Sequence, residues 1–523
     1  MPDAPPTSPE YHDEEPLTSP KVESPLPPLN GLYAQYFAVG LVYGVLPGTL
    51  YGFYLGYLGV ESHVYSTAAQ VISLPWSFKF MYGMLNDRVP IAGCHRKPYM
   101  AMGWAICATA LAVIANTAMP APGDAYAAGP FAARMAVAAV GYVMADVAAD
   151  GLVVQYAKQE SLPRRGTLQS TVYLVRTLGS IVAALVVGLG MNGREYNGTF
   201  DVTLSFTHVC GMIAVPAAAM VPISWIYIEE PTPEPPIPNY LHECWSVLEG
   251  KAMFYVVVYT LGHSVVGGIY TTAGPHVTRI WAGVDNLQAK LFGVLGMAVF
   301  AAGLALVRKH FLNTSWRKII AVTTLGLGAV DAAFVYCTVF DVVRNQYFYL
   351  GEDVITMVPA AARFLVTTFV VVEMAPDGLE GITYGMLTTL HNLGGPIARA
   401  LSNQIFGLGF TGLTQASNYV QDTPAFRMEV AWSYGVGYAA GLIALAFLCF
   451  MPDQKQQAQY RLQTWGKSKR FAQITVVTTV VCWIYAITIN LLAMFPSTSC
   501  LNWVGGGGCH VSAQAAHSDG DAE

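Results

Sequence analysis

The chain is 523 residues long, with 54% hydrophobic residues, 11% charged residues and a mean hydropathy of +0.43. Soluble domains carry about 25% charge, so a soluble multidomain protein is excluded. The formal net charge of −6 says little about partners; no basic patch interleaved with aromatics points to nucleic acid, and no CxxC pair points to a metal or redox centre.

Residues 1–30 are Pro-rich and acidic, without an apolar core, and read as a disordered cytosolic tail rather than a signal peptide. Beyond them, stretches of the ~20 apolar residues that a spanning helix needs recur along the chain. They predict membrane helices at 32–60, 65–85, 99–119, 131–157, 168–191 and 202–228. A polar, Pro-rich segment over 229–250 follows. Six more lie at 253–273, 287–307, 319–340, 354–375, 382–410 and 430–451, and a thirteenth at 474–495. The expected plan is a tail (1–30), an N-terminal six-helix half (31–228), a cytosolic linker (229–250) and a C-terminal six-helix half (251–451). Residues 452–523 hold a basic segment, an extra helix and an outer tail.

In the first predicted helix, glycines at 40, 44, 48, 52 and 56 make one smooth face suited to close helix packing, and Pro47 adds a kink. Tyr36, Tyr43 and Trp76 are packing residues or platforms for a flat ring. Between the second and third helices runs "GMLNDRVPIAGCHRKPY". Its Gly83, Asp87, Arg88, Arg96 and Lys97 resemble the G-x-L-x-D-R-x-G-R-K loop of the major facilitator superfamily, with a spacing longer by a few residues. Glycines there allow a tight turn, and Asp87 can accept from neighbouring helix ends or basic residues. That resemblance implies an all-α membrane protein, a bundle of two six-helix halves, to which the thirteenth apolar stretch adds an extra C-terminal transmembrane helix outside the shared core.

Lys79, Asp146, Asp150, Arg176, Asp331, Arg363 and Arg399 fall inside predicted spans. Charges there are costly and face a partner or an aqueous path. Asp146 and Asp150 are four apart and share a helix face. At 1.5 Å per residue, Lys79, Asp150 and Arg176 lie ~9, ~10 and ~12 Å from the inner ends of their helices, so Asp150 is the expected partner of the two cations. Asp146, one turn nearer the centre, is then the expected proton carrier. Asp331 and Arg363, both ~14 Å from the outer ends, are the expected structural ion pair. Arg399 is left for substrate, with Arg176 second, and Lys79, His391 and Asn392 as further substrate contacts.

Lys and Arg concentrate in one set of loops: Arg88, Arg96, Lys97, Lys158, Arg164, Arg165, Lys251, Arg308, Lys309, Arg317, Lys318 and the run 455–470. The opposite loops hold fewer, which places the N-terminus in the cytoplasm. Asn197 then stands in an outer glycosylation sequon. The extra helix carries Cys500 and Cys509 to the oxidising side, where a disulfide is expected.

"LPWSFKFMYGMLNDRVPIAGCHRKPYM", "DVAADGLVVQYAKQES", "GTLQSTVYLVRTLGSIVAALVVG" and "APDGLEGITYGMLTTLHNLGG" resemble the folate–biopterin transporter family, over roughly residues 31–451. The resemblance implies a secondary transporter of folate- or pterin-like organic anions working by alternating access, with proton coupling. No cofactor, metal or catalytic residue is expected; the partners are a small-molecule substrate and membrane lipid. Two other readings stay open: a carrier for a sugar, amino acid or drug, and a non-transporting receptor on the same scaffold.

Overall fold

The computed structural model describes residues 28–157, 167–230, 239–311, 314–374, 380–506 and 508–509. The expected tail up to residue 27, the loop cations Lys158, Arg164 and Arg165, and linker residues 231–238 lie outside them. The first half comprises α1 (Asn30–Leu50), α2 (Ser62–Ser73), α3 (Lys79–Arg88), α4 (Lys97–Ala115), α5 (Ala128–Ala157), α6 (Thr167–Gly190) and α7 (Phe206–Ile226). A connecting helix α8 (Tyr240–Leu248) leads to α9 (Lys251–Gly267), α10 (Gly274–His276), α11 (Asn286–His310), α12 (Trp316–Val339), α13 (Gln346–Ile355), α14 (Met357–Glu373), α15 (Glu380–Gly409), α16 (Ala416–Gln421) and α17 (Pro424–Ala444). Three further helices follow among the described residues, α18 (Lys455–Thr464), α19 (Lys469–Leu492) and the short α20 (Pro496–Ser499). Several starts are capped: Ser205 accepts from His208 N, Ser315 from Lys318 N, and Thr423 from Phe426 N just before Pro424.

Among the described residues, nine helices are long and apolar enough to cross a membrane. The predicted helices around α2–α3, α9, α13–α14 and α15 are not among them. α2 and α3 are separated by a 3-10 turn at Leu74–Phe78, where Pro75 removes a backbone donor. The expected helix over 354–375 starts earlier and is interrupted between α13 and α14. α15 is continuous but carries His391, Asn392, Arg399 and Asn403.

The glycine stripe of α1 packs as expected from its spacing. A Cβ on Gly40 would lie 1.9 Å from the Arg176 carbonyl oxygen, so only glycine lets α1 and α6 approach this closely. Beyond Pro47, α1 continues as a π-helical stretch, Tyr51–Tyr57, whose Gly52 and Gly56 face Tyr196.

Each half has its own apolar core. The halves meet along α2, α3 and α15 and along α6 and α11. Polar links cross these seams. Asn403 donates to Thr67 Oγ1 (2.8 Å), Thr389 Oγ1 accepts from Phe80 N (2.9 Å), Asn286 donates to Met191 O (2.9 Å) and Tyr51 OH to Val284 O (2.7 Å). The helix α19 lies on α15, with Asn490 donating to Pro396 O (3.0 Å) and Trp483 stacked on Phe78 (5.1 Å). Beyond it, Cys500 and Cys509 form a disulfide, and Ser499 O contacts His63 Nε2 (3.1 Å).

Candidate functional site

The 3-10 turn before α3 aims Lys79 and Trp76 at α5. Lys79 Nζ lies 3.0 Å from Asp146 Oδ2 and 2.9 Å from Asp150 Oδ2. Arg176 Nη1 reaches Asp146 Oδ1 at 3.4 Å, and Tyr36 OH donates to Asp150 Oδ1 at 2.7 Å. Four helices, α1, α3, α5 and α6, thereby converge on one cluster of two carboxylates and two cations. The Asp146 side chain is 0% exposed and that of Asp150 27%. The cluster is therefore most open on the Asp150 side, the side nearer the face where α1 begins.

Aromatic rings wall the cations. Lys79 Nζ sits 4.6 Å from the Trp76 ring, and Arg176 Cζ lies 5.1 Å from both Tyr43 and Trp76. Trp76 Nε1 donates to Tyr142 OH (3.0 Å), which holds the indole in place. Tyr43 is 46% exposed and offers an open ring beside Arg176.

This geometry corrects the pairing inferred from depth. Arg176 is in contact with Asp146, not with Asp150, and Lys79 touches both. Asp146 is thus the carboxylate in contact with both cations, and Asp150 the more exposed of the two. Rise per residue gives depth along each helix but not the rotation of one helix against another.

The expected Asp331–Arg363 ion pair does not form. Asp331 accepts from Tyr270 OH (2.7 Å) and Tyr438 OH (2.8 Å), so two hydroxyls take the place of a cation. Arg363 is in no ion pair among the described residues; it lies in electrostatic reach of Tyr259, His263 and His391. The Arg399 side chain is half-buried, its Nε lacks a hydrogen-bond partner, and Tyr65 lies within electrostatic reach. His391 is exposed, whereas Asn392 donates to the Trp76 carbonyl (3.1 Å) and serves the seam between the halves.

The loop after α3 is a built structure. Asp87 accepts from Arg96 Nη2 (2.5 Å), and Glu230 accepts from the backbone N–H groups of His95, Arg96 and Lys97 at the start of α4. Gly93 makes the turn with φ +76°, while Gly83 lies inside α3 and makes none. Arg88 is the last residue of α3. Glu230, Tyr270, Tyr438 and His263 had not been singled out from the sequence. Only His263 carried a signal there, as an ionisable residue within a predicted span.

On the far face, exposed Asn197 has a left-handed backbone (φ 57°), and its amide oxygen, suitably oriented, accepts from Arg279 Nε (3.0 Å) and Nη2 (2.6 Å).

An all-helical bundle of two packed halves with a charged cluster at mid-depth defines a membrane protein of the major-facilitator type. The fold is similar to that of the solved D-xylose-proton symporter, with TM-score 0.58 and 13% identity over 81% of this chain and 97% of that one. It is also similar to the nucleoside transporter NupG, with TM-score 0.55 and 13% identity over 80% and 98%. The chain belongs to the BT1 family, whose model matches residues 40–459; α19 lies beyond the match. It is 21% identical over 337 residues to a folate-biopterin transporter of Synechocystis sp., a stretch covering 62% of this chain and 64% of that relative. The chain thus spans just under two thirds of that relative's own length. With its apolar helices, this family places it among integral, multi-pass membrane proteins.

Proposed function

We propose that the chain is a secondary transporter that carries folate- or pterin-like organic anions by alternating access, with Asp146 and Asp150 coupling proton movement to substrate movement. The observation that supports this most is the cluster of Lys79, Asp146, Asp150 and Arg176. Two carboxylates balance two cations, so the empty site bears no net charge and its burial is tolerable. A proton reaching Asp150 from the water side removes one partner of Lys79, and Asp146 then holds both cations alone. Sliding of α3 or α6 against α5 redistributes the cations between the two carboxylates, which makes two arrangements of one core. Arg176, beside the exposed Tyr43, and Arg399, with its unpartnered Nε, are the guanidinium groups for the anion, because a guanidinium matches a carboxylate in a two-point fork. In this reading the face where α1 begins is cytoplasmic.

Purified protein in vesicles tests the proposal, with labelled folate, pterin, sugars and amino acids offered with and without a pH gradient. A gradient should drive accumulation of the folate or pterin alone. Asp150→Asn should still exchange bound substrate yet lose accumulation. Failure of the wild type to accumulate either compound sinks the substrate class, and accumulation by Asp150→Asn on a proton gradient alone sinks the coupling role.

A further inference from the structure

We infer that Arg363, His263 and His391 form a seat for the carboxylate of the transported solute, in the second half and opposite the ionic cluster of the first. The inference rests on the transport reading above and adds to Arg176 and Arg399, the guanidinium groups named there for the anion, a third cationic place for a carboxylate.

Three observations carry it. First, the group is cationic and unbalanced. Arg363 has no acidic partner among the described residues, and its electrostatic neighbours are two histidines and Tyr259. A guanidinium in a membrane bundle with no carboxylate beside it is costly unless water or a ligand supplies the anion. Second, His263 is only 8% exposed, and its Nε2 has no hydrogen-bond partner. The Tyr259 ring lies 5.4 Å from its ring. Buried polar atoms are nearly always paired, so one left open beside an unpaired guanidinium marks a place where a ligand completes the network.

Third, the group is at the right level and faces the right way. Counted from the ends of α14, α15 and α9 on the α1-start face, Arg363, His391 and His263 are ~15, ~17 and ~18 Å deep. Lys79 and Asp146 are ~14 and ~17 Å deep by the same count. On α15, His391 is two turns from Tyr384 and shares its face. Tyr384 lies in electrostatic reach of Asp150 and Lys79. His391 is therefore turned towards the first half, and it is exposed. A flat solute lying against Tyr43 would extend its carboxylate across the gap to this seat.

The test uses full-length protein in lipid nanodiscs and two probes, folate and a methylpterin without a carboxylate. Arg363→Gln should weaken folate binding by about 10- to 100-fold, the range for a charge-assisted hydrogen bond, and leave methylpterin within a factor of about two. Arg363→Lys should fall between. Wild-type folate affinity in a monodisperse Arg363→Gln protein overturns the seat, and so does an equal loss for both probes. Should the wild type bind neither probe, the folate reading fails by itself. The seat is then decided by diethylpyrocarbonate labelling of His391 with phthalate present. Protection in the wild type that is lost in Arg363→Gln supports it, and unchanged labelling overturns it.

Discussion

The two halves handle buried charge at the same depth in opposite ways. In the first half, Lys79 and Arg176 each touch a carboxylate, and Asp146 touches both cations. In the second, Arg363 has no acid partner among the described residues, while Asp331 lies elsewhere and is satisfied by the hydroxyls of Tyr270 and Tyr438. In the transport reading proposed above, the balanced cluster changes state by proton exchange and the cation without an acid partner takes the anion.

The contrast breaks most visibly on removing one member from each side. Asp146→Ala leaves Arg176 without an acid partner and should cost about 3–5 kcal/mol, the usual penalty for splitting a buried pair. Thermal unfolding in detergent should show a large fall in midpoint. Arg363→Gln removes a cation that has no acid partner among the described residues, so its midpoint should hold or rise. The double variant Asp146→Asn with Arg176→Gln should lose less than the sum of its single variants, by about 0.5–3 kcal/mol. Additive losses would show that the two residues do not act as a pair.

The scaffold beneath the balanced cluster comes next. Gly40→Ala drives a methyl group into the Arg176 carbonyl and should cost roughly 3 kcal/mol, near the top of the overpacking range. Gly326→Ala on α12 meets nothing within 4 Å and should gain about 0.5–1 kcal/mol through helix propensity. Equal midpoints for the two variants would refute the close approach of α1 and α6.

Asp331 should matter moderately. Asp331→Ala strands two tyrosine hydroxyls, at about 1–3 kcal/mol, and Tyr438→Phe should cost less, because Tyr270 still donates. If Asp331→Ala recovers its stability on adding Arg363→Gln, the two are coupled after all.

The smallest effect lies in an exposed loop, where Asp422 meets Arg344 (2.6 Å) and Arg427 (2.6 Å). Partial burial pushes its carboxyl upward, but the hydrogen bonds and charges of the two arginines outweigh this and hold it at about 2, below the ordinary 3.8. A carboxyl depressed on folding stabilises fully above its ordinary value and loses that stabilisation as pH falls through its folded value. The midpoint gap between wild type and Asp422→Asn should therefore be constant above about pH 5 and close towards about pH 2. A gap that persists at the acid end would rule out the linkage, and salt should narrow it throughout.

Much of this protein was legible in the chain itself. Hydropathy marked the nine described helices that are long and apolar enough to cross a membrane, because such a helix needs about 20 mostly apolar residues. The spacing of Gly40, Gly44 and Gly48 announced a smooth face, and the rule that charge is rare in a bilayer singled out Lys79, Asp146, Asp150, Arg176, Arg363 and Arg399. Pairing was another matter. Depth along a helix follows from counting residues, but contact also depends on each helix's rotation and on breaks such as the turn at Leu74–Phe78. Those are set by packing against neighbours distant in the chain. Only the tertiary structure could hand Arg176 to Asp146, give Asp331 to two tyrosines, and leave Arg363 in electrostatic reach of His263 and His391 with no acid partner among the described residues.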